Sequence, residues 1–457
     1  MKKILITCLF FYPILLIAQF SEEHIITTEA INANFVHAVD LNGDGFIDVV
    51  AASIGDNTLA WYENLDGLGN FGDKRVISEF SEEYRFISSA DIDGDGDLDI
   101  LSTALFEDLV VWFENLDGLG NFSNKKIISA NRDLPLTVFG ADLDNDGDID
   151  VFTSSKNDGV IAWYENTNGL GDFSIEHIIT TQAYTTTYAS AGDIDNDGNL
   201  DILATSSGNN QSIFWYENLD GLGSFGEGNV IISGLFGPNT VIADDLDGDG
   251  GMDVVSSEFG GNTIAWYENL DGLGEFGVKN TITTNVDATF QIVVADMDND
   301  GNQDIVLVSG GDNKIAWQKN DGIGNFGEQQ IITETAEGPR SLDVADFDGD
   351  GYIDVVSASI IDYKIAWYKN LTYLNVNENA IKECFTIYPN PVQNNINIDN
   401  NANCALTSIR VFDVFGRKVI EDFKPTNRID ISFLSSGLLF VQLETDEGVI
   451  TKKVIKE

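Results

Sequence analysis

Seven short acidic stretches in this 457-residue chain hold the residue types that bind a hard divalent cation. Each reads D-x-[DN]-x-D-G-x-x-D, and successive copies start 50 to 52 residues apart. The side chains at positions 1, 3, 5 and 9 are the expected ligands. They are Asp40, Asn42, Asp44 and Asp48; Asp91, Asp93, Asp95 and Asp99; Asp142, Asp144, Asp146 and Asp150; Asp193, Asp195, Asp197 and Asp201 in the first four loops. The last three supply Asp245, Asp247, Asp249 and Asp253; Asp296, Asp298, Asp300 and Asp304; Asp346, Asp348, Asp350 and Asp354. Glycine at position 6 permits a sharp turn, and the main-chain carbonyl at position 7 adds another oxygen. An all-oxygen set excludes a zinc or copper preference. Magnesium keeps its waters, so a dedicated protein cage favours calcium. No glutamate stands at position 12, and the flanks are strand-like, so these are hairpin loops and not EF-hands. About seven calcium ions are expected.

Such loops need a frame that repeats with them. One unit runs from Phe71 to Asn121 and contains four short runs rich in β-branched and aromatic residues: RVIS, FISSAD, DILSTA and VVWFEN. Each is bounded by Gly, Asn or Asp, the pattern of strands joined by turns. Four strands per unit and seven units predict an all-β, seven-bladed propeller. All seven tryptophans (Trp61, Trp112, Trp163, Trp215, Trp266, Trp317 and Trp367) share one repeat position and are expected in the core. Six G-x-G-x-F turns end at Phe71, Phe122, Phe173, Phe225, Phe276 and Phe326, and none follows Trp367. FSEEHIITT from Phe20 matches FSIEHIITT from Phe173, so Phe20–Thr28 is expected to complete the last blade. The glycines Gly67, Gly69 and Gly72 spell a dinucleotide-type motif, but they lead into a strand and not a helix, so they read as a hairpin.

Composition narrows the setting. A formal net charge of −51 argues against nucleic acid as a partner. Lys2 and Lys3 precede an apolar run ending at Ala18-Gln19, the pattern of a secretory signal over residues 1–18. That run is too short to span a bilayer, and no transmembrane helix is expected in the mature chain. Cys384 and Cys404 are the only cysteines beyond the signal, and whether they pair is left open.

The loops opposite the acidic turns differ from unit to unit. They hold Arg85, Arg132, Tyr184 and Arg340, which are the candidate ligand-binding residues, beside aromatics such as Phe106, Tyr188, Phe236 and Tyr363. Aromatics with a few arginines suit an extracellular glycan or protein ligand. No G-x-S-x-G, H-E-x-x-H or propeller cysteine is present, so no catalytic residue is assigned. His24 and His177 share one position on the outer strand and read as structural. His37 and Asp343 are the one titratable pair expected near the channel. The alternative to a binding module is a calcium-dependent polysaccharide lyase or hydrolase.

DLDNDGDID followed by IAWYEN and the DGLGNF turn resembles the FG-GAP/VCBS repeats of calcium-binding propellers, related to the integrin α-subunit head, over residues 20–371. The resemblance implies a binding or adhesion module. After a linker at 372–382, residues 383–457 resemble a type IX secretion C-terminal sorting domain, a small β-sandwich. The matching segments are Tyr388-Pro389-Asn390-Pro391-Val392, SIRVFDVFGRKV, Gly437 to Gln442, and Lys452-Lys453-Val454-Ile455. Leu439 stands where the family usually has tyrosine. This resemblance implies handling by the type IX machinery, with the cargo released or attached outside the outer membrane.

Overall fold

The computed structural model describes residues 19–79, 83–208, 211–371, 385–400, 406–412, 418–422, 427–434, 437–445 and 448–456. The expected signal, the linker at 372–382, Cys384 and Cys404 lie outside the described residues. All regular structure among the described residues is β-strand, and no helix there is long and apolar enough to cross a membrane.

Phe20–Asn370 forms one compact unit. It contains seven four-stranded antiparallel sheets, one per repeat. In the second repeat the strands run from inside to outside as Tyr84–Ala90, Asp99–Ala104, Leu109–Phe113 and Lys126–Ser129. Burial explains their composition. The second and third strands are buried at every position; the third is wholly apolar, and the second carries the buried polar residues Asp99, Ser102 and Thr103. The inner strand is only partly buried towards its end, and the outer strand is partly exposed at Lys126 and Ile127.

Inner strands of successive sheets lie side by side, and Pro339–Ala345 of the last lies against Ala33–Val39 of the first. The last sheet takes its fourth strand from the other end of the unit. His24–Thr27 pairs with Lys364–Tyr368, with His24 opposite Trp367. Phe20 bridges Asn370, as Phe71 bridges Asn64 within the first repeat. The seam is packed like the other inter-sheet layers: Val36, Val49, Phe347, Val356 and Trp367 share one cluster.

All seven tryptophans are buried. The second glycine of each G-x-G turn lies on the tryptophan of the preceding sheet. A Cβ on Gly120 would come within 2.3 Å of Trp61, and one on Gly69 within 2.2 Å of Trp367. Both glycines have positive φ, +77° in each case, so the turn needs glycine for its backbone and for the close approach. The dinucleotide-type motif is therefore a packing turn, as the sequence predicts.

The C-terminal strands form a separate core. Phe385–Tyr388, Asn395–Asn400 and Arg428–Asp430 make one sheet. Lys418–Asp422, Leu406–Phe412, Gly437–Thr445 and Gly448–Lys456 make the other. Ile396 and Ile398 pack with Ile409, Val411, Leu439 and Val441. Leu439 is thus a core residue, which explains why an apolar replacement is accommodated.

Candidate functional site

Each acidic loop is the turn between an inner strand and the next. In the second loop the position-9 carboxylate, Asp99, is almost fully buried. One oxygen accepts the Ile92 N–H at 3.1 Å and the other the Asn115 N–H at 2.7 Å. The same pair of bonds recurs at Asp48, Asp150, Asp201, Asp253, Asp304 and Asp354. Burial outweighs these bonds and pushes the carboxyl pKa up to about 7 at six of them and about 8 at Asp354. Position 1 accepts the N–H of the position-6 glycine, as Asp91 does from Gly96 at 3.0 Å.

Positions 1, 3 and 5 converge. In the second to sixth loops, one oxygen from each of the three aspartates lies within 4.8 Å of the others. Several of these oxygens are buried without a hydrogen-bond partner: Oδ1 of Asp40, Asp91, Asp93, Asp142, Asp298 and Asp348. A buried, uncompensated carboxylate oxygen is costly. A cation among them removes that cost, and the hard-oxygen set fits calcium. Position 9 accepts one N–H at each oxygen, so each keeps a second lone pair.

The asparagine three residues after each tryptophan has a role that the sequence reading did not assign. Its side chain donates to the position-2 carbonyl of the preceding sheet's loop. Asn115 reaches Leu41 and Asn166 reaches Ile92, both at 2.8 Å. The set continues through Asn218, Asn269, Asn320 and Asn370. Asn64 reaches across the seam to Phe347, also at 2.8 Å. Since its own N–H binds the position-9 aspartate, this residue couples each loop to its neighbour. Its recurrence in all seven units was the available signal.

The opposite face opens into a cavity at the centre, lined by the first turns of the inner strands. It contains Arg85 and Arg340 and is a small cup of about 70 Å³. Phe35 and Tyr188 line its inner part, and Phe86 and Phe139 pack against them with ring centroids 4.5 to 6.1 Å apart. His37 and Asp343 do meet. Nδ1 lies 3.0 Å from Asp343 Oδ2, and Nε2 lies 2.9 Å from Ser89 Oγ. Asp343 also accepts the Ala38 N–H at 2.9 Å. This relay joins the last, first and second sheets. None of its three members lines the cavity.

Residues 40–102, 142–204, 193–256, 245–307 and 296–357 match the FG-GAP-like repeat, together more than half of the chain. The chain is an FG-GAP-like repeat protein. Residues 386–457 match the secretion system C-terminal sorting domain. That domain engages the type IX machinery and directs this FG-GAP-like repeat protein to the cell surface or the extracellular space. No curated protein matches the chain. Among solved structures, the chain is similar to BBS1N from its complex with ARL6DN, at 10% identity and a TM-score of 0.54, over 77% of this chain and 97% of that one. It is also similar to the extracellular domain of the putative hybrid two component system BT4673 from B. thetaiotaomicron, at 12% identity and a TM-score of 0.51, over 96% of this chain and 60% of that one. At such identities the likeness concerns the fold alone.

The four ligand-binding candidates of this FG-GAP-like repeat protein separate. Arg85 and Arg340 share the cavity. Arg132 is buried beside Asp158 (3.6 Å) and Glu176 (3.5 Å), a structural ion pair away from the cavity. Tyr184 is exposed outside it. His24 and His177 stack on Trp367 and Trp163, with centroids 4.6 and 4.2 Å apart, as structural residues would.

The loops are not equivalent either. The residue before the coupling asparagine is glutamate in five repeats and lysine in two. Lys319 pairs with Asp298 and, at 2.6 Å, with Asp300. Lys369 pairs with Asp348 and, at 2.9 Å, with Asp350. In the sixth and seventh loops an ammonium therefore already lies against positions 3 and 5.

Proposed function

We propose that this protein is an exported, calcium-stabilised propeller that binds a glycan or a protein at the mouth of its central channel. The observation that carries this reading is the contrast between the two faces. The acidic-loop face repeats nearly the same chemistry in every unit, as a scaffold does. The channel mouth draws an uneven mixture of Asn, Phe, Arg, Thr, Tyr and Gln from six of the seven sheets, which makes a single asymmetric site, the usual form of a specific pocket. An apolar segment at residues 1–18 supports export by a cleaved signal, and the sorting domain supports delivery outside the cell.

An array of glycans and purified surface proteins, probed with the full chain in calcium and in chelator, tests the reading. Calcium-dependent binding to a defined ligand is expected. A blank array with folded, calcium-loaded protein would count against a binding module.

Calcium should not load all loops equally, because lysine and calcium compete for the same carboxylates. Lys319→Glu and Lys369→Glu are each expected to tighten binding at one site by about tenfold, an effect of roughly 1.4 kcal/mol. Titration calorimetry would read it. Unchanged isotherms in both variants would show that the lysines swing clear when calcium binds.

A second reading, a polysaccharide-active enzyme, rests on the Ser89–His37–Asp343 relay, whose connectivity matches a nucleophile, a base and an orienting carboxylate. Release of oligosaccharide by the protein, lost in His37→Ala, would favour it over simple binding.

A further inference from the structure

Among the channel-mouth residues, Arg85 and Arg340 stand out because the chain around them is strongly acidic. The formal net charge is −51, yet no carboxylate lines the cavity. The other arginine singled out by sequence, Arg132, has two acidic neighbours. Arg85 has no hydrogen-bond or ion-pair partner for its guanidinium among the described residues, and Arg340 only lies over the Phe290 ring, 3.8 Å from its centroid. Burial pushes the Arg85 pKa down, and repulsion from Arg340 adds to it. Two like charges in one half-buried cup, without a counter-ion, disfavour the fold. Such an arrangement persists when a ligand supplies the missing charge.

The remaining polar groups suggest what carries that charge. Asn34 and Asn239 give their NH₂ groups to the Arg85 and Phe290 carbonyls, at 3.3 and 2.5 Å. Their amide oxygens have no hydrogen-bond partner among the described residues and remain as acceptors. Gln291 uses its oxygen to accept the Leu342 N–H at 3.2 Å, which leaves its NH₂ as a donor. The Thr187 hydroxyl also lines the cavity, but it is already bonded to Thr205 Oγ1 at 2.7 Å and to the Pro238 carbonyl at 2.8 Å. Paired guanidinium donors match an oxyanion, and amide acceptors beside them match hydroxyl groups. An oxyanion and hydroxyls on one small body describe an acidic sugar better than a peptide carboxylate.

Resting on the reading of the mouth as the ligand site, we infer that it takes an anionic sugar, whose carboxylate or sulfate ester sits between Arg85 and Arg340. Asn34, Asn239 and Gln291 then hold its hydroxyls, and the aromatic floor keeps water from screening the charge pair.

The test uses the full chain in saturating calcium with three probes: an oligogalacturonate, a sulfated galactan oligosaccharide and a neutral galactan oligosaccharide. One or both anionic probes are expected to bind and the neutral one to fail, and the two anionic arms separate carboxylate from sulfate. Arg85→Met and Arg340→Met should each weaken binding by roughly tenfold or more, the usual effect of losing a charged hydrogen-bonding partner. The same variants should melt no lower than the parent, since each removes an unpaired, half-buried charge. A purely structural arginine would lower the melting temperature. Equal binding of the neutral probe, with both variants unaffected, would overturn the anionic assignment and leave glycan binding standing. Failure of all three probes would overturn it as well, and the protein half of the array would then decide the broader reading. A lowered melting temperature in both variants would also overturn it, whatever the probes do.

Discussion

Chelating calcium at about pH 8 is expected to lower the melting temperature by on the order of 10 °C. Extracellular calcium sites have dissociation constants of roughly 10⁻⁴–10⁻³ M. At ten times that concentration each site adds about 1.4 kcal/mol, so five to seven loops supply about 7–10 kcal/mol, comparable with a domain's net stability. Proton linkage makes the effect depend on pH. Burial raises the position-9 carboxyls to about 7, so the metal-free folded state binds more protons than the unfolded chain. Its stability therefore falls as pH rises from about 4 through about 7 and stays low above that. Calcium bound at these loops would require their ionised form, so the stabilisation it adds should be larger at about pH 8 than at about pH 5.5. Melting curves with and without chelator at both pH values read this directly. A melt insensitive to chelator at pH 8 would remove calcium from the folding of this protein.

Deleting residues 20–28 should be at least as damaging, because that segment completes the last sheet. Without it the edge of Lys364–Tyr368 is unpaired, His24 no longer covers Trp367, and the buried Phe20 is lost. An open edge of this kind also invites aggregation. Phe20→Ala is the milder version, expected to cost about 3–5 kcal/mol as a large-to-small core change. Thermal melts and gel filtration in calcium would measure both. An unchanged melting temperature in the deletion would mean that the ring does not depend on this strand.

Much of the fold was legible because its signals are local. A fixed period, an aspartate-glycine turn, a buried tryptophan and a glycine hairpin each act within one repeat, and seven copies reinforce one another. The extra strand at the amino end was legible for the same reason, since FSEEHIITT matches a known outer strand. Even the coupling asparagine left a trace in its recurrence, although its partner lies in the neighbouring sheet.

The loops' inequality and the arginine-lined cup were less accessible. Lys319 differs from Glu268 by one letter in the repeat, but only the folded loop shows its ammonium against Asp298 and Asp300. Arg85, Arg132 and Arg340 look alike in sequence. Arg132 finds Asp158 and Glu176 and is neutralised; Arg85 and Arg340, over two hundred residues apart, meet across the channel with no acid between them. The sequence by itself determined the repeat, the all-β class and the acidic loops, because short-range turn chemistry and strand periodicity specify them. Tertiary structure decided which arginines are left without a counter-ion, because that depends on contacts made only when seven sheets share one axis.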